Sequence, residues 1–185
     1  MTKLDIWKAA LALLPHDRPD LAEEDGTVEA SRCAEHWAAA RRAVLTAREW
    51  GWLVVETPPC CGVCWGDMWM YERPADAIRI VGLCTSDGRR IKAEAVNGGL
   101  RAMEPFAAIR YLPDEEDPDR WPVAVQDAVV AELAARISPV LTDNPNRSAE
   151  LRQTAIARLE EAGKQDAMET AYDGGDPLVL VHARM

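Results

Sequence analysis

The sequence lacks several features that would place it in a common class of protein. It has no run of about 18 to 20 apolar residues, so we expect no membrane-spanning helix. It has 21 Lys and Arg against 31 Asp and Glu, and the formal charge of −10 argues against the basic surface with which most proteins bind nucleic acid. The sequence also contains no phosphate-binding glycine loop and no nucleophile-elbow pattern. No enzymatic activity is therefore predicted.

Histidine is scarce, with His16, His36 and His182 only. Spacing pairs none of the three with a Ser or Cys nucleophile and an acid. We expect His36, next to Trp37, to be a helix-surface or interface residue rather than a general base.

The five cysteines are an odd number, which argues against the disulfide framework of a secreted protein. The first residues have no apolar core of signal-peptide length, because Asp5 and Lys8 interrupt it. We therefore expect synthesis in a reducing cytoplasm.

Three of the cysteines, Cys60, Cys61 and Cys64, form a local cluster. Cys61 and Cys64 have the C-x-x-C spacing of zinc knuckles and redox motifs, but a structural zinc needs four ligands and no second such pair is present. Cys33, Cys84 or His36 could complete a site only through the fold. Plain loop cysteines are the favoured interpretation, so no metal or cofactor is predicted, and a metal or redox site stays the alternative.

Aromatic residues are unevenly chosen, with one Phe and three Tyr against seven Trp. A Trp side chain buries a large apolar surface and needs a partner for its N–H group. We interpret the seven Trp as anchors of a core or of a subunit interface.

Apolar residues at helical spacing predict four helices, over about 3–14, 27–49, 122–138 and 145–171. Proline in the first turn is expected to begin the third helix, and Pro139 is expected to end it. The fourth begins with Asn144 as its cap.

Extended segments over about 52–112 predict a small antiparallel β-meander. Asp87-Gly88 and Asn97-Gly98 are turn signals between strands. The predicted fold is α+β, mainly α: a helical bundle with the meander inserted between two helix pairs. It forms a single domain over 1–172, followed by a C-terminal arm at 173–185.

Over about residues 4–170, the sequence resembles the tail tubular protein A family of short-tailed bacteriophages. Four stretches carry the resemblance, in the family's order. The first two are Ala9-Ala10-Leu11-Ala12-Leu13-Leu14 before an acidic loop, and the helix with Arg41-Arg42-Ala43-Val44-Leu45 that leads to Glu49-Trp50-Gly51-Trp52. The third is Tyr71-Glu72-Arg73-Pro74-Ala75-Asp76 at the start of a strand, and the fourth is Arg110-Tyr111-Leu112 with Trp121-Pro122, followed by Ser138-Pro139-Val140-Leu141-Thr142 and Asp166-Ala167. The cysteine loop and the short meander depart from the family pattern.

The resemblance implies a head-to-tail adaptor, a structural protein without catalytic activity. Twelve copies would form a ring that docks on the portal protein, continues the DNA channel and receives the next tail protein. The location implied is the head-tail junction of the virion, after synthesis in the cytoplasm of the bacterial host. The alternatives from other classes are a zinc- or redox-dependent small module that uses Cys60, Cys61 and Cys64, and a generic helical scaffold protein.

Two segments are candidate functional sites under this interpretation. The isolated apolar segment Leu178, Val179, Leu180 and Val181 is hypothesised to dock on the portal or on a neighbouring subunit, with a frayed terminus as the alternative. Residues 113–185 carry 7 basic and 15 acidic residues, hence −8 of the net −10. We expect acids there to face the channel and to repel DNA phosphates, with these candidates in the loop: Asp114, Glu115, Glu116 and Asp117.

Overall fold

The structure is a computed structural model, and it describes residues 1–14, 20–24, 26–59, 62–65, 68–92, 94–142 and 144–173. These residues form four α-helices, one 3-10 turn and eight strands. The chain is an α+β protein that is mainly helical, as the sequence predicts. Its contacts divide it into two compact units, a helical unit of Met1–Trp52 with Glu115–Met185 and a sheet unit of Leu53–Asp114. The single domain over 1–172 stays a prediction.

The helical unit is organised around one helix. Its elements are α1 (Lys3–Ala12), α2 (Val28–Thr46), α3 (Val123–Leu141) and α4 (Pro145–Asp173). The third helix packs against the other three, and 11 of its 19 residues are buried. Because a helix that is apolar on most of its surface must be covered on most sides, α3 forms the centre of this unit.

Local chemistry sets where α1 and α2 begin and end. Thr2 and Asp5 form a capping box at the start of α1, in which the Thr2 hydroxyl and the Asp5 carboxylate each accept a backbone N–H. The second helix was predicted to reach residue 49 but ends at Thr46. The chain turns back there, because the buried Trp50 indole donates its N–H to the carbonyl of Val44, 3.2 Å away.

The predicted stop of α3 at Pro139 is wrong, since the helix continues through Pro139 to Leu141. A proline in a helix removes one N–H donor, and its ring crowds the preceding turn. Here burial offsets that cost: Ser138 is fully buried, and its hydroxyl lies 2.8 Å from the hydroxyl of Ser148 on α4. The fourth helix begins at Pro145 as predicted, after Asn144, whose side-chain oxygen accepts N–H groups of its first turn.

The sheet unit contains two four-stranded antiparallel sheets, with strand orders β1-β8-β4-β5 and β2-β3-β7-β6. The strands are β1 (Val55–Thr57), β2 (Val63–Trp65), β3 (Met68–Glu72), β4 (Ala77–Cys84), β5 (Arg90–Ile91), β6 (Glu94–Val96), β7 (Gly99–Ala102) and β8 (Ala108–Pro113). Both predicted turns are present, with φ of 81° at Gly88, 28° at Asn97 and 80° at Gly98.

A single meander is not what these strands form. The residues between the two predicted turns supply β5 to one sheet and β6 to the other. The first strand pairs with β8, about fifty residues later, with Val55 opposite Tyr111. Turn residues specify hairpins between neighbours in sequence, whereas pairing across fifty residues is decided by which apolar faces meet. In the core of the unit, Tyr71 and Phe106 have ring centroids 3.9 Å apart.

Candidate interaction surface

The four acids predicted to face a channel do not form one group. Asp114 ends the sheet unit, and its N–H donates to the carbonyl of Asp76, 2.8 Å away. Glu115, Glu116 and Asp117 belong to the helical unit. The acidic loop is therefore divided between the two units.

The acidic side chains of this loop in the helical unit form hydrogen bonds and ion pairs with nearby residues. Arg120 lies 3.2 Å from the Glu115 carboxylate and 3.7 Å from that of Asp117. Asp117 is the cap of the 3-10 turn Pro118–Arg120, and its carboxylate accepts the N–H of Asp119 at 3.1 Å. These carboxylates thus fix the conformation of the loop, whatever surface they also present.

Glu116 holds a buried arginine. The Arg41 side chain on α2 is 2% exposed, and its guanidinium donates to the Glu116 carboxylate at 3.1 Å, whereas Glu116 is 77% exposed. This contact joins the acidic loop to α2. A channel-facing role for the four acids stays a prediction.

The cysteine cluster lies largely outside the described residues, which include neither Cys60 nor Cys61. Cys64 is exposed on β2, at the edge of its sheet. Cys33 is buried in the helical unit, where burial and then the charge of Glu29 raise the pKa of its thiol to about 12. Within the described part of the chain, no three His, Cys, Asp or Glu side chains are grouped so that they could hold a metal ion.

Two pairs of motifs that are far apart in the sequence meet in the structure. Asp166 on α4 is 8% exposed, and both its carboxylate oxygens lie 3.0 Å from the N–H of Gly51. Within the sheet unit, the Tyr111 hydroxyl donates to the Asp76 carboxylate at 3.3 Å. These four residues come from the stretches that carry the family resemblance. Those stretches are therefore points of tertiary contact as well as short sequence patterns.

Glycine permits a close approach at the same place. A Cβ added to Gly51 would lie 2.1 Å from the Thr170 hydroxyl oxygen. One added to Gly163 would lie 1.1 Å from the Arg48 guanidinium, which stands over the Trp50 ring at 5.5 Å. The segment after α2 and the second half of α4 are consequently in direct contact.

A groove between α2, α3 and α4 forms a concave surface on the helical unit. We call it the α2–α3–α4 groove. It consists of two adjoining cavities of about 470 and 380 Å³, both lined by Pro139 and Arg152. The larger one is also lined by His36, Arg136 and Ile156. The Ile156 side chain is 52% exposed there.

His36, expected to be a helix-surface or interface residue, lies half-buried on α2 in this groove, which the sequence did not reveal. One signal was present: Ile156 follows Ala155 on α4 and so stands beside the apolar stripe of that helix rather than in it. The candidate docking segment Leu178–Val181 lies outside the described residues.

No family model matches this chain, and no curated protein matches it. Among the helices in the described ranges, none is both long and apolar enough to cross a membrane.

Proposed function

We propose that this chain is a structural protein without catalytic activity, a head-to-tail adaptor subunit of a short-tailed bacteriophage or prophage. Copies of it form a twelve-fold ring that docks on the portal protein, receives the next tail protein and continues the channel through which DNA leaves the head. The helices then act as the bundle of the adaptor, and the protein resides at the head-tail junction of the virion.

The observation that carries this proposal is the pairing of the resemblance motifs in space. Gly51 contacts Asp166 across 115 positions of sequence, and Asp76 contacts Tyr111 across 35. The stretches that carry the resemblance are therefore also parts of the fold that contact one another. The element order, two helices, a strand-rich segment and two helices, also agrees with the order of the motifs.

Surface composition gives further support. The excess acid of residues 113–185 suits the wall of a conduit, since it disfavours tight phosphate contacts.

The test is to mix the full chain with purified portal rings from the same phage or prophage and to image the particles by electron cryo-microscopy. We expect an added ring of twelve subunits on one face of the portal. Portal rings of an unrelated phage provide the control and should stay bare. Bare cognate portals at saturating protein would contradict the proposal, and stoichiometric zinc in the purified protein by elemental analysis would favour the cysteine-based alternative.

A further inference from the structure

The α2–α3–α4 groove has the properties of a binding site for a short apolar segment. We infer that it receives Leu178–Val181 from a second copy of this chain. The inference deepens the proposed function and rests on it for the closure of the ring. It names the partner of this groove, while the docking of the ring on the portal is a separate contact.

Apolar residues line the larger cavity of the groove. Pro139 and Ala135, one turn apart on α3, both belong to its lining. Ile156 adds a half-exposed apolar side chain on the α4 side. An extended apolar segment could cover these residues.

Charge favours the same occupant. Arg136 is paired with Glu132 at 2.7 Å, but Arg152, which lines both cavities, has no ion-pair partner among the residues that the structure describes. The C-terminal segment carries Asp176 two positions before Leu178. An apolar run with an acid just ahead of it matches a groove with an exposed isoleucine and an arginine that has no carboxylate partner in the described part of the chain.

The apolar run as a whole cannot lie in this groove in its own chain. The fourth helix ends at Asp173, which lies about 26 Å along the helix from Ile156 and about 32 Å from Arg152, at about 1.5 Å per residue. Leu178 follows Asp173 by five positions and Val181 by eight, and fully extended chains of those lengths span at most about 18 and 29 Å. The end of the run could reach Ile156 but no part of it reaches Arg152, so the whole run can occupy the groove only when it comes from another copy.

A contact of this kind has the symmetry that a ring needs. The groove and the C-terminal segment are different surfaces, so each subunit gives one and receives the other. Such head-to-tail contacts generate closed rings or open filaments, whereas a self-complementary contact stops at a dimer.

The experiment uses a fluorescein-labelled peptide of residues 174–185 and the full chain, at concentrations where sedimentation shows a monomer. Fluorescence anisotropy should show saturable, one-to-one binding. Ile156→Asp should weaken binding by at least about tenfold, because it places a charge where the apolar run packs. Met168→Asp is the matched control: it alters another exposed apolar residue of the same helix, outside the groove, and should leave the affinity unchanged.

A charge exchange tests the orientation of the segment. Arg152→Glu should weaken binding about three- to tenfold, and a peptide with Asp176→Arg should restore binding to that variant but not to the wild type. Circular dichroism of each variant shows that it is folded. Absence of peptide binding to the wild type, or equal losses in Ile156→Asp and Met168→Asp, would overturn the inference.

The two proposals can fail separately. Peptide binding without a ring on the cognate portal would support the groove and contradict the adaptor function. A ring on the portal without peptide binding would support the adaptor function and contradict the groove as the site of the C-terminal segment.

Discussion

The contact between Asp166 and Gly51 allows a quantitative prediction about stability. Asp166 is 8% exposed and accepts the Gly51 N–H with both oxygens at 3.0 Å. Asp166→Ala removes a charged acceptor and leaves a backbone donor without its partner. Hydrogen bonds to charged groups contribute about 1.5 to 3 kcal/mol, so we expect a loss of about 2 kcal/mol in the free energy of unfolding. For a chain of this size that corresponds to a fall in Tm of about 4 to 8 °C.

The assay is urea unfolding followed by circular dichroism at 222 nm, which reports the helices. Asp166→Asn keeps one acceptor oxygen but not the charge, and should lose about 1 kcal/mol. Glu169→Ala, an exposed acid three residues further along α4, is the control and should change stability by less than about 0.5 kcal/mol. If Asp166→Ala and Glu169→Ala were equally stable, the contact would not hold α4 to the end of α2.

Two further predictions concern the helical unit. Gly51→Ala should lower the free energy of unfolding by about 1 to 3 kcal/mol, because the new Cβ would lie 2.1 Å from the Thr170 hydroxyl oxygen. The control Gly82→Ala, with no atom within 4 Å of its Cβ, should be nearly neutral. Adding Thr170→Ala to Gly51→Ala should recover part of the loss in urea unfolding, and no recovery would contradict the clash. The raised pKa of Cys33, about 12 against an ordinary 9.0, means that the folded state holds a proton which the unfolded state has lost between these values. This stabilising contribution is complete below about pH 9 and is lost as pH rises toward 12, at up to about 1.4 kcal/mol per pH unit, so Cys33→Ala should unfold with a shallower alkaline pH dependence than the wild type. Parallel slopes of the two proteins would refute the assignment.

The helices were largely predictable because their signals are local. Apolar spacing and the caps at Thr2 and Asn144 are properties of a few consecutive residues. The errors have tertiary causes. The second helix ends early because the Trp50 indole donates to the Val44 carbonyl, and α3 continues past Pro139 because Ser138 is buried.

The sheets show the same division. Turn residues at Gly88 and Asn97 located two hairpins, since a positive φ is a local requirement. The assignment of 89–96 to two sheets and the pairing of β1 with β8 depend on faces that come together only in the folded chain. The candidate groove was equally hidden, because its lining residues come from three helices that are separate in sequence.

The sequence by itself determined the class of this protein, α+β and mainly helical, as well as its acidity and most of the limits of its helices. These follow from composition and from periodicity within single elements. Only the tertiary structure decided that Asp166 meets Gly51, that Asp76 meets Tyr111 and that an exposed isoleucine lies beside Arg152 in a groove. The physical reason is that such contacts join residues many turns of chain apart, and their partners are selected by packing rather than by neighbouring residues.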